Sequence, residues 1–243
     1  WREDELNALL PLDVVDDVPP QIDKAAELQD KWQVKRGDIL EVESKSLLGR
    51  CHRIMCGDST SAEDVGKLLN GKSAQMIFCD VPYDAPENIM NIWINIAPQS
   101  CHVFVMSSDK KLVKMVGSHI DLFRRFFAIN MKAVRINSVY APVTMIDMCA
   151  EFLKGKTHFQ NLHDAFSNYL ETSKHLEKLE YKAKAKKPSL IIEFLKHYSE
   201  KGELVCDGFL GSGTTLVACE QTGRVGYGME IAPEYVAVRL ERL

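Results

Sequence analysis

Leu204-Val205-Cys206-Asp207-Gly208-Phe209-Leu210-Gly211-Ser212-Gly213-Thr214-Thr215 is the stretch that decides the fold. Four residues read as a buried strand that ends in a carboxylate, and Gly211-Ser212-Gly213 reads as a tight turn. Thr214–Gln221 then continues as a helix, Val225–Glu230 as a second strand, and Pro233–Leu243 as a last helix with proline in its first turn. A strand that passes through a glycine turn into a helix and then a second strand is the unit of a parallel sheet.

Upstream the same alternation recurs. Residues 52–58 read as a strand ending in Gly57-Asp58, and Ser61-Ala62-Glu63-Asp64 reads as a capped helix start running to about Asn70-Gly71. Ala74–Cys79 is a short apolar run that delivers Asp80 at its carboxyl end. Further strands are expected at Cys101–Met106, Phe123–Met131 and Thr144–Leu153, with a helix near Asp109–Ile120. Residues 159–181 read as helical, and Lys187-Pro188 opens another helix that Gly202 ends. The expected fold class is α/β, a Rossmann-like, doubly wound, mostly parallel sheet with helices on both faces.

Composition is that of a globular chain: of 243 residues, 46% are hydrophobic and 26% charged, enough for one large domain with a real core. Residues 1–31 are acidic and carry Pro19-Pro20, so they are expected to be a lead-in or linker, with the folded domain at 32–243. An initial Trp suggests a piece of a longer protein. No apolar run approaches the ~20 residues of a membrane span, and no signal peptide is evident, so a cytoplasmic location is expected. The seven cysteines include no Cys-x-x-Cys pair and no zinc spacing; buried free thiols in a reducing cytosol are the expectation, with no metal. Net charge is −4, so phosphate contacts must come from local clusters: Lys110, Lys111 and Lys114, or Arg124 and Arg125, or Lys182, Lys184, Lys186 and Lys187. A solvated helix end is the competing reading of the lysine run.

In a sheet of this kind, ligands bind beyond the carboxyl ends of the strands, where the glycine turn falls. Glu230 ends the next strand, 17 residues after Gly213, and suits a carboxylate that accepts from ribose hydroxyls. A dinucleotide loop would place glycine where Leu216 stands, and a triphosphate loop needs a lysine that is absent. S-adenosylmethionine has a ribose and no phosphate, so it requires neither. An ordinary strand–turn–helix connection competes with all three.

Asp80-Val81-Pro82-Tyr83 suits chemistry on the amino group of a flat base. Such an amino group is a poor nucleophile because its lone pair is delocalised into the ring. The Asp80 carboxylate and the Pro82 carbonyl can draw on its hydrogens, and Tyr83 can stack on the base. The base must first leave the duplex, at a cost of about a few kcal/mol. A plain turn after a strand is the competing reading.

Together, and in this order, the two motifs resemble the DNA amino-methyltransferases of the permuted (beta) class. The likeness covers roughly residues 33–243 and includes Arg36-Gly37-Asp38-Ile39, Cys56-Gly57-Asp58-Ser59-Thr60, Glu151–Lys156 and Tyr227-Gly228-Met229-Glu230. The resemblance implies S-adenosylmethionine as cofactor and duplex DNA as partner, with adenine N6 favoured over cytosine N4 by an aspartate in the first motif position. It implies catalytic roles for Asp80, Pro82 and Tyr83. Cofactor contacts are implied at Asp58, Asp80, Lys187, Asp207, Phe209, Gly211, Ser212, Gly213, Thr214 and Glu230. A restriction-modification or phage setting fits such an enzyme.

The chain also departs from the family pattern. Val81 stands for the first proline of Asp-Pro-Pro-Tyr, Gly208 for the proline of Asp-Pro-Phe, and Asp84 for a common glycine. Gly208 is expected to loosen the loop. Target-recognition regions in the family are often long, whereas residues 157–187 make only a short helical insert, so an upstream portion, a second copy or another subunit is expected to help read the target. RNA amino-methylation and a binding-only relative remain as rival readings; binding alone requires none of Asp80, Pro82 and Tyr83.

Overall fold

The computed structural model describes residues 21–82, 84–86, 88–135, 144–156, 169–171, 188–211 and 213–243. Its sheet has nine strands among the described residues: β1 (Ile39–Glu43), β2 (Cys51–Cys56), β3 (Met76–Asp80), β4 (His102–Met106), β5 (Phe123–Arg135), β6 (Thr144–Leu153), β7 (Tyr169–Glu171), β8 (Leu204–Asp207) and β9 (Val225–Glu230). The order across the sheet is β1-β2-β9-β8-β3-β4-β6-β5-β7. The strands β2, β9, β8, β3 and β4 are mutually parallel, while β1 and β6 pair antiparallel at either side of that block.

Helices cover both faces. They are α1 (Ala25–Trp32), α2 (Ala62–Leu69), α3 (Asn91–Ile96), α4 (Asp109–Ser118), α5 (Pro188–Tyr198), α6 (Thr214–Thr222) and α7 (Pro233–Leu240). Successive residues of a strand point to opposite faces, which sorts β3 into two cores. Ile77 and Cys79 pack with Leu68, Trp93, Leu112 and Met115 from α2, α3 and α4. Met76 and Phe78 pack with Leu190, Ile191, Phe194 and Leu195 of α5. Burial on both faces explains why these strands read as continuous apolar runs.

Register fixes where the chemistry lies. Cys56 pairs with Glu230, Asp207 with Gly228, and Asp80 with Met106, so the carboxyl ends of the central strands form one edge. From β3 the chain moves to β4 on one side, whereas from the neighbouring β8 it moves to β9 on the other. The reversal opens a crevice between β3 and β8, the position at which open α/β sheets bind ligands.

Two expectations need correction. The boundary at residue 32 falls inside a folded element: Ala25–Trp32 is helical, Leu28 is buried in a cluster with Val236 and Ala237 of α7, and Lys31 pairs with Glu241 at 2.7 Å. Within the expected helix of 159–181, Tyr169–Glu171 is a strand parallel to Ala128–Asn130, because an open edge of β5 supplies the hydrogen-bond partners that a helix would find internally. The rest of 157–187 lies outside the described residues. The start at Ser61 is as read: its hydroxyl accepts from the Asp64 amide at 3.2 Å. All seven cysteines are free, six of them buried; burial pushes the Cys56 thiol up to about 11. Among the described residues no helix is long and apolar enough to cross a membrane.

Candidate active site

A cavity of about 520 Å³ opens at the β3–β8 crevice. Asp58, Asp80, Pro82, Asp84, Asp207, Phe209, Gly211, Thr214 and Glu230 line it. The two motifs, 127 residues apart from Asp80 to Asp207, therefore meet in one space. Among the described residues, five of those lining it are carboxylates and none is a lysine or arginine. Such a field favours a cationic ligand and opposes a phosphate-bearing one.

The glycine turn is built for close approach. Gly211 and Gly213 have φ of 48° and 78°, in the left-handed region that side chains avoid. A Cβ on Gly213 would lie 2.7 Å from Cγ of Arg239, so the turn rests directly on that side chain. Asp207 organises the loop from within: its Oδ1 accepts from the Phe209 amide at 2.8 Å and its Oδ2 from the Thr215 hydroxyl at 2.6 Å. Sequence reading made Asp207 a cofactor contact; its carboxylate is engaged in shaping the turn, which it does at 4% exposure.

Glu230 ends β9 with Oε1 accepting from the Ala232 amide at 3.1 Å and Oε2 3.6 Å from Nη2 of Arg239. Burial lowers the Arg239 guanidinium to about 10, against the pull of the Glu230 charge. Asp58 Oδ1 accepts from both the amide and the hydroxyl of Thr60, at 2.8 and 2.7 Å. Those bonds, the hydroxyl first, hold its carboxyl below the usual aspartate value.

On the other wall, Asp80 projects from the end of β3 as an exposed residue facing the cavity. The Val81 amide donates to the Met106 carbonyl at 2.8 Å, and the Ser107 hydroxyl donates to the Val81 carbonyl at 3.3 Å. The Pro82 carbonyl, expected as a second acceptor for the base, already accepts from the Ala85 amide at 3.2 Å and from Lys111 Nζ at 3.0 Å. Both of its lone pairs are in use.

Gly208 is packed, contrary to the expectation of a loosened loop. A Cβ there would meet Cε2, Nε1 and Cζ2 of Trp93 at 2.6, 2.7 and 2.8 Å. The Trp93 indole, fully buried, occupies the volume of a side chain at 208. The Gly208 amide also donates to Cys79 Sγ at 3.4 Å, and its carbonyl accepts from the Ser59 hydroxyl.

Tyr83, Ser212, Lys187, Lys182, Lys184 and Lys186 lie outside the described residues. Arg124 donates to the Gly155 carbonyl at 2.7 Å, and Arg125 pairs with the buried Glu151 at 3.0 Å; neither lines the cavity. Sequence reading missed Trp93 and Arg239, and it took Lys111 for a phosphate contact, whereas its Nζ donates to the Pro82 and Ala85 carbonyls. For Trp93 a signal existed in the spacing of Ile89, Met90, Trp93, Ile94 and Ala97, all buried. Lys111 stands in a run with Lys110 and Lys114 that reads as a phosphate-contacting cluster, and Arg239 reads as the polar face of the last helix.

A family model described as DNA methylase matches residues 70–241. The chain is 26% identical over 162 residues to the type II methyltransferase M.MjaII of Methanocaldococcus jannaschii, a match that covers 59% of this chain and 30% of that protein. It is 39% identical over 56 residues to the type II methyltransferase M.XycI of Xanthomonas campestris pv. cyanopsidis, covering 23% of this chain and 19% of the relative. The matched region thus spans less than a third of either curated relative. Among solved structures, the M1.HpyAVI–SAM complex aligns with a TM-score of 0.64 at 18% identity, covering 78% of this chain and 98% of that one. The cytosine-N4-specific PvuII DNA methyltransferase aligns at 0.59 and 16% identity, covering 84% of this chain and 90% of its own. The fold is the one those methyltransferases share, and the chain belongs to the DNA methylase family of N6-adenine and N4-cytosine amino-methyltransferases.

Proposed function

We propose that this chain transfers a methyl group from S-adenosylmethionine to the exocyclic amino group of a base in DNA, with adenine N6 as the preferred atom. The observation that carries the reading is one shared carboxylate-lined cavity, in which Asp80 at the end of β3 meets the glycine loop and Glu230 at the ends of β8 and β9. The order of the two motifs along the chain, Asp80 before Gly211, supports membership of the permuted class.

The residues fit such a cofactor. Glu230 stands at a strand end with one carboxylate oxygen toward Arg239, able to accept from a ribose hydroxyl. Asp58, held as a carboxylate by Thr60, suits the adenine end. Gly211 leaves the backbone bare on the cavity wall. The bound cofactor would supply a methyl group on a positively charged sulfonium, which the five carboxylates favour over any anionic ligand.

On the base side, the Asp80 carboxylate accepts an amino hydrogen and stabilises the positive charge that grows on nitrogen as its lone pair engages the methyl carbon. The Pro82 carbonyl joins only by releasing one of the two donors it holds. Tyr83 stacks on the extruded base. Positioning and charge stabilisation are all that this chain must provide. The preference for adenine rests on the family resemblance, in which an aspartate at the first motif position, here Asp80, leans that way. Incubation with duplex DNA, single-stranded RNA and S-adenosylmethionine, followed by nucleoside mass spectrometry, tests the reading: N6-methyladenine in DNA is expected. N4-methylcytosine would change the target, methylated RNA the substrate, and cofactor binding without transfer would leave only a binding protein.

A further inference from the structure

The loop that carries Asp80 is tied down unevenly. Its first half is pinned to β4 and the residue beyond it, through Val81 to Met106 at 2.8 Å and Ser107 to Val81 at 3.3 Å. Its second half is a turn closed on itself by the Ala85 amide and the Pro82 carbonyl, 3.2 Å apart. Among the described residues, the hydrogen bonds that leave this turn for another element both come from Lys111: Nζ donates to the Pro82 carbonyl at 3.0 Å and to the Ala85 carbonyl.

The placement of that lysine is informative. It lies in the first turn of α4, where the helix dipole disfavours a cation. A solvated lysine would do better near the carboxyl end of the helix. Two charge-assisted bonds to carbonyls offset this, and they bridge both corners of one turn. Pro82 lies between Asp80 and Tyr83 in the chain, so whatever fixes the Pro82 carbonyl fixes the direction in which the loop leaves β3.

We propose that Lys111 is a positioning residue of the methyl-transfer reaction, a two-point clamp that holds the Asp80–Ala85 loop in the geometry the target base requires. The proposal rests on the methyltransferase reading given above. The clamp keeps its hold on Ala85 when the Pro82 carbonyl takes a new donor, so the loop stays fixed while the base enters. A lysine side chain supplies this where a neutral side chain of similar length does not, because the ammonium reaches both carbonyls at once.

The test compares wild type, Lys111→Arg and Lys111→Met in two measurements. Amide hydrogen exchange of the peptide covering residues 80–86 is followed in the free protein. Exchange is expected to be about 10-fold faster in Lys111→Met, with Lys111→Arg close to wild type, since arginine can still donate to both carbonyls. Single-turnover methyl transfer is then followed at saturating DNA and cofactor, with cofactor affinity measured separately. The transfer rate is expected to fall roughly 10- to 100-fold in Lys111→Met, the scale of a misplaced reacting group, while cofactor affinity stays within about twofold and Lys111→Arg recovers most of the rate. Unchanged exchange in Lys111→Met, or an unchanged transfer rate, overturns the clamp. A rate loss matched by an equal loss of cofactor affinity also overturns it, since that is general damage. Wild-type protein that transfers no methyl group overturns the functional reading instead, and the exchange measurement still decides whether Lys111 holds the loop.

Discussion

Replacing Gly208 by alanine probes the wall between the two motifs. The new Cβ would sit 2.6 Å from Cε2, 2.7 Å from Nε1 and 2.8 Å from Cζ2 of Trp93. Ordinary contact begins near 3.4 Å, so the pair must separate by about 0.8 Å. The indole cannot yield outward because Trp93 is 0% exposed, set among Ile89, Met90 and Ala97. Gly208 is not among the residues with positive φ, so alanine meets no backbone penalty and the cost is steric alone. Overpacking of this kind costs about 1–3 kcal/mol, and the reduced freedom of the unfolded chain returns about 0.4–1 kcal/mol. A net loss of about 1–2 kcal/mol corresponds to a fall in Tm of roughly 2–8 °C for a chain of this size. Cofactor affinity should fall as well, since Phe209 and Gly211 follow directly and line the cavity. Trp93→Phe removes the clashing Nε1 edge, whose buried N–H has no hydrogen-bond partner among the described residues. In that background Gly208→Ala should be nearly neutral, giving a coupling of at least about 1 kcal/mol by thermal or denaturant unfolding. Native stability of Gly208→Ala beside an intact Trp93, or an equal cost in both backgrounds, would refute the reasoning.

Three further outcomes are expected. Glu230→Ala should weaken S-adenosylmethionine binding by roughly 1.5–3 kcal/mol in calorimetry, the scale of one charged hydrogen bond; unchanged affinity in a folded variant moves the ribose contact elsewhere. Thr60→Val removes the hydroxyl bond that is the largest cause of the lowered Asp58 value. Because a depressed carboxyl keeps its contribution above the ordinary value and loses it only as pH falls through the folded one, the variant should lose cofactor affinity at a higher pH than wild type on acidification. A carboxyl-carbon NMR titration with identical midpoints for Asp58 in the two proteins would contradict this. Glu220→Ala should cost about 3 kcal/mol, or roughly 6–12 °C in Tm, because Glu220 accepts from Ser44 at 2.8 Å, from the Ser46 amide at 2.6 Å and faces His52 at 2.7 Å, leaving buried partners stranded. A shift under about 2 °C in a melting curve would show that this network carries little of the fold.

The strands of the parallel block were legible because they are buried on both faces, and a buried strand writes itself as a short apolar run ending in a polar residue. Ala74–Cys79 before Asp80 and Leu204–Cys206 before Asp207 are such runs. Glycine was legible as a turn signal at 211 and 213, where φ is positive, but its meaning at 208 was not. That glycine answers to a tryptophan 115 residues earlier, and no local pattern encodes such a contact. Tyr169–Glu171 was misread for a related reason: the edge of β5 makes it a strand, while its own sequence is equally compatible with a helix. Helix α1 was hidden by an acidic and proline-bearing neighbourhood, and only its contact with α7 gives Leu28 a place to be buried. The carboxylates of the site were visible one at a time; that they share one cavity is a property of the sheet's register.

The most direct measurement is methyl transfer to duplex DNA by wild type and by Asp80→Ala, read as modified nucleosides by mass spectrometry, with cofactor affinity determined for both. On the proposed mechanism Asp80 acts on the base, so wild type should form N6-methyladenine and Asp80→Ala should form none above background while binding S-adenosylmethionine with wild-type affinity. Equal methylation by both proteins, or a wild type that binds the cofactor and leaves the DNA unmodified, would contradict the account.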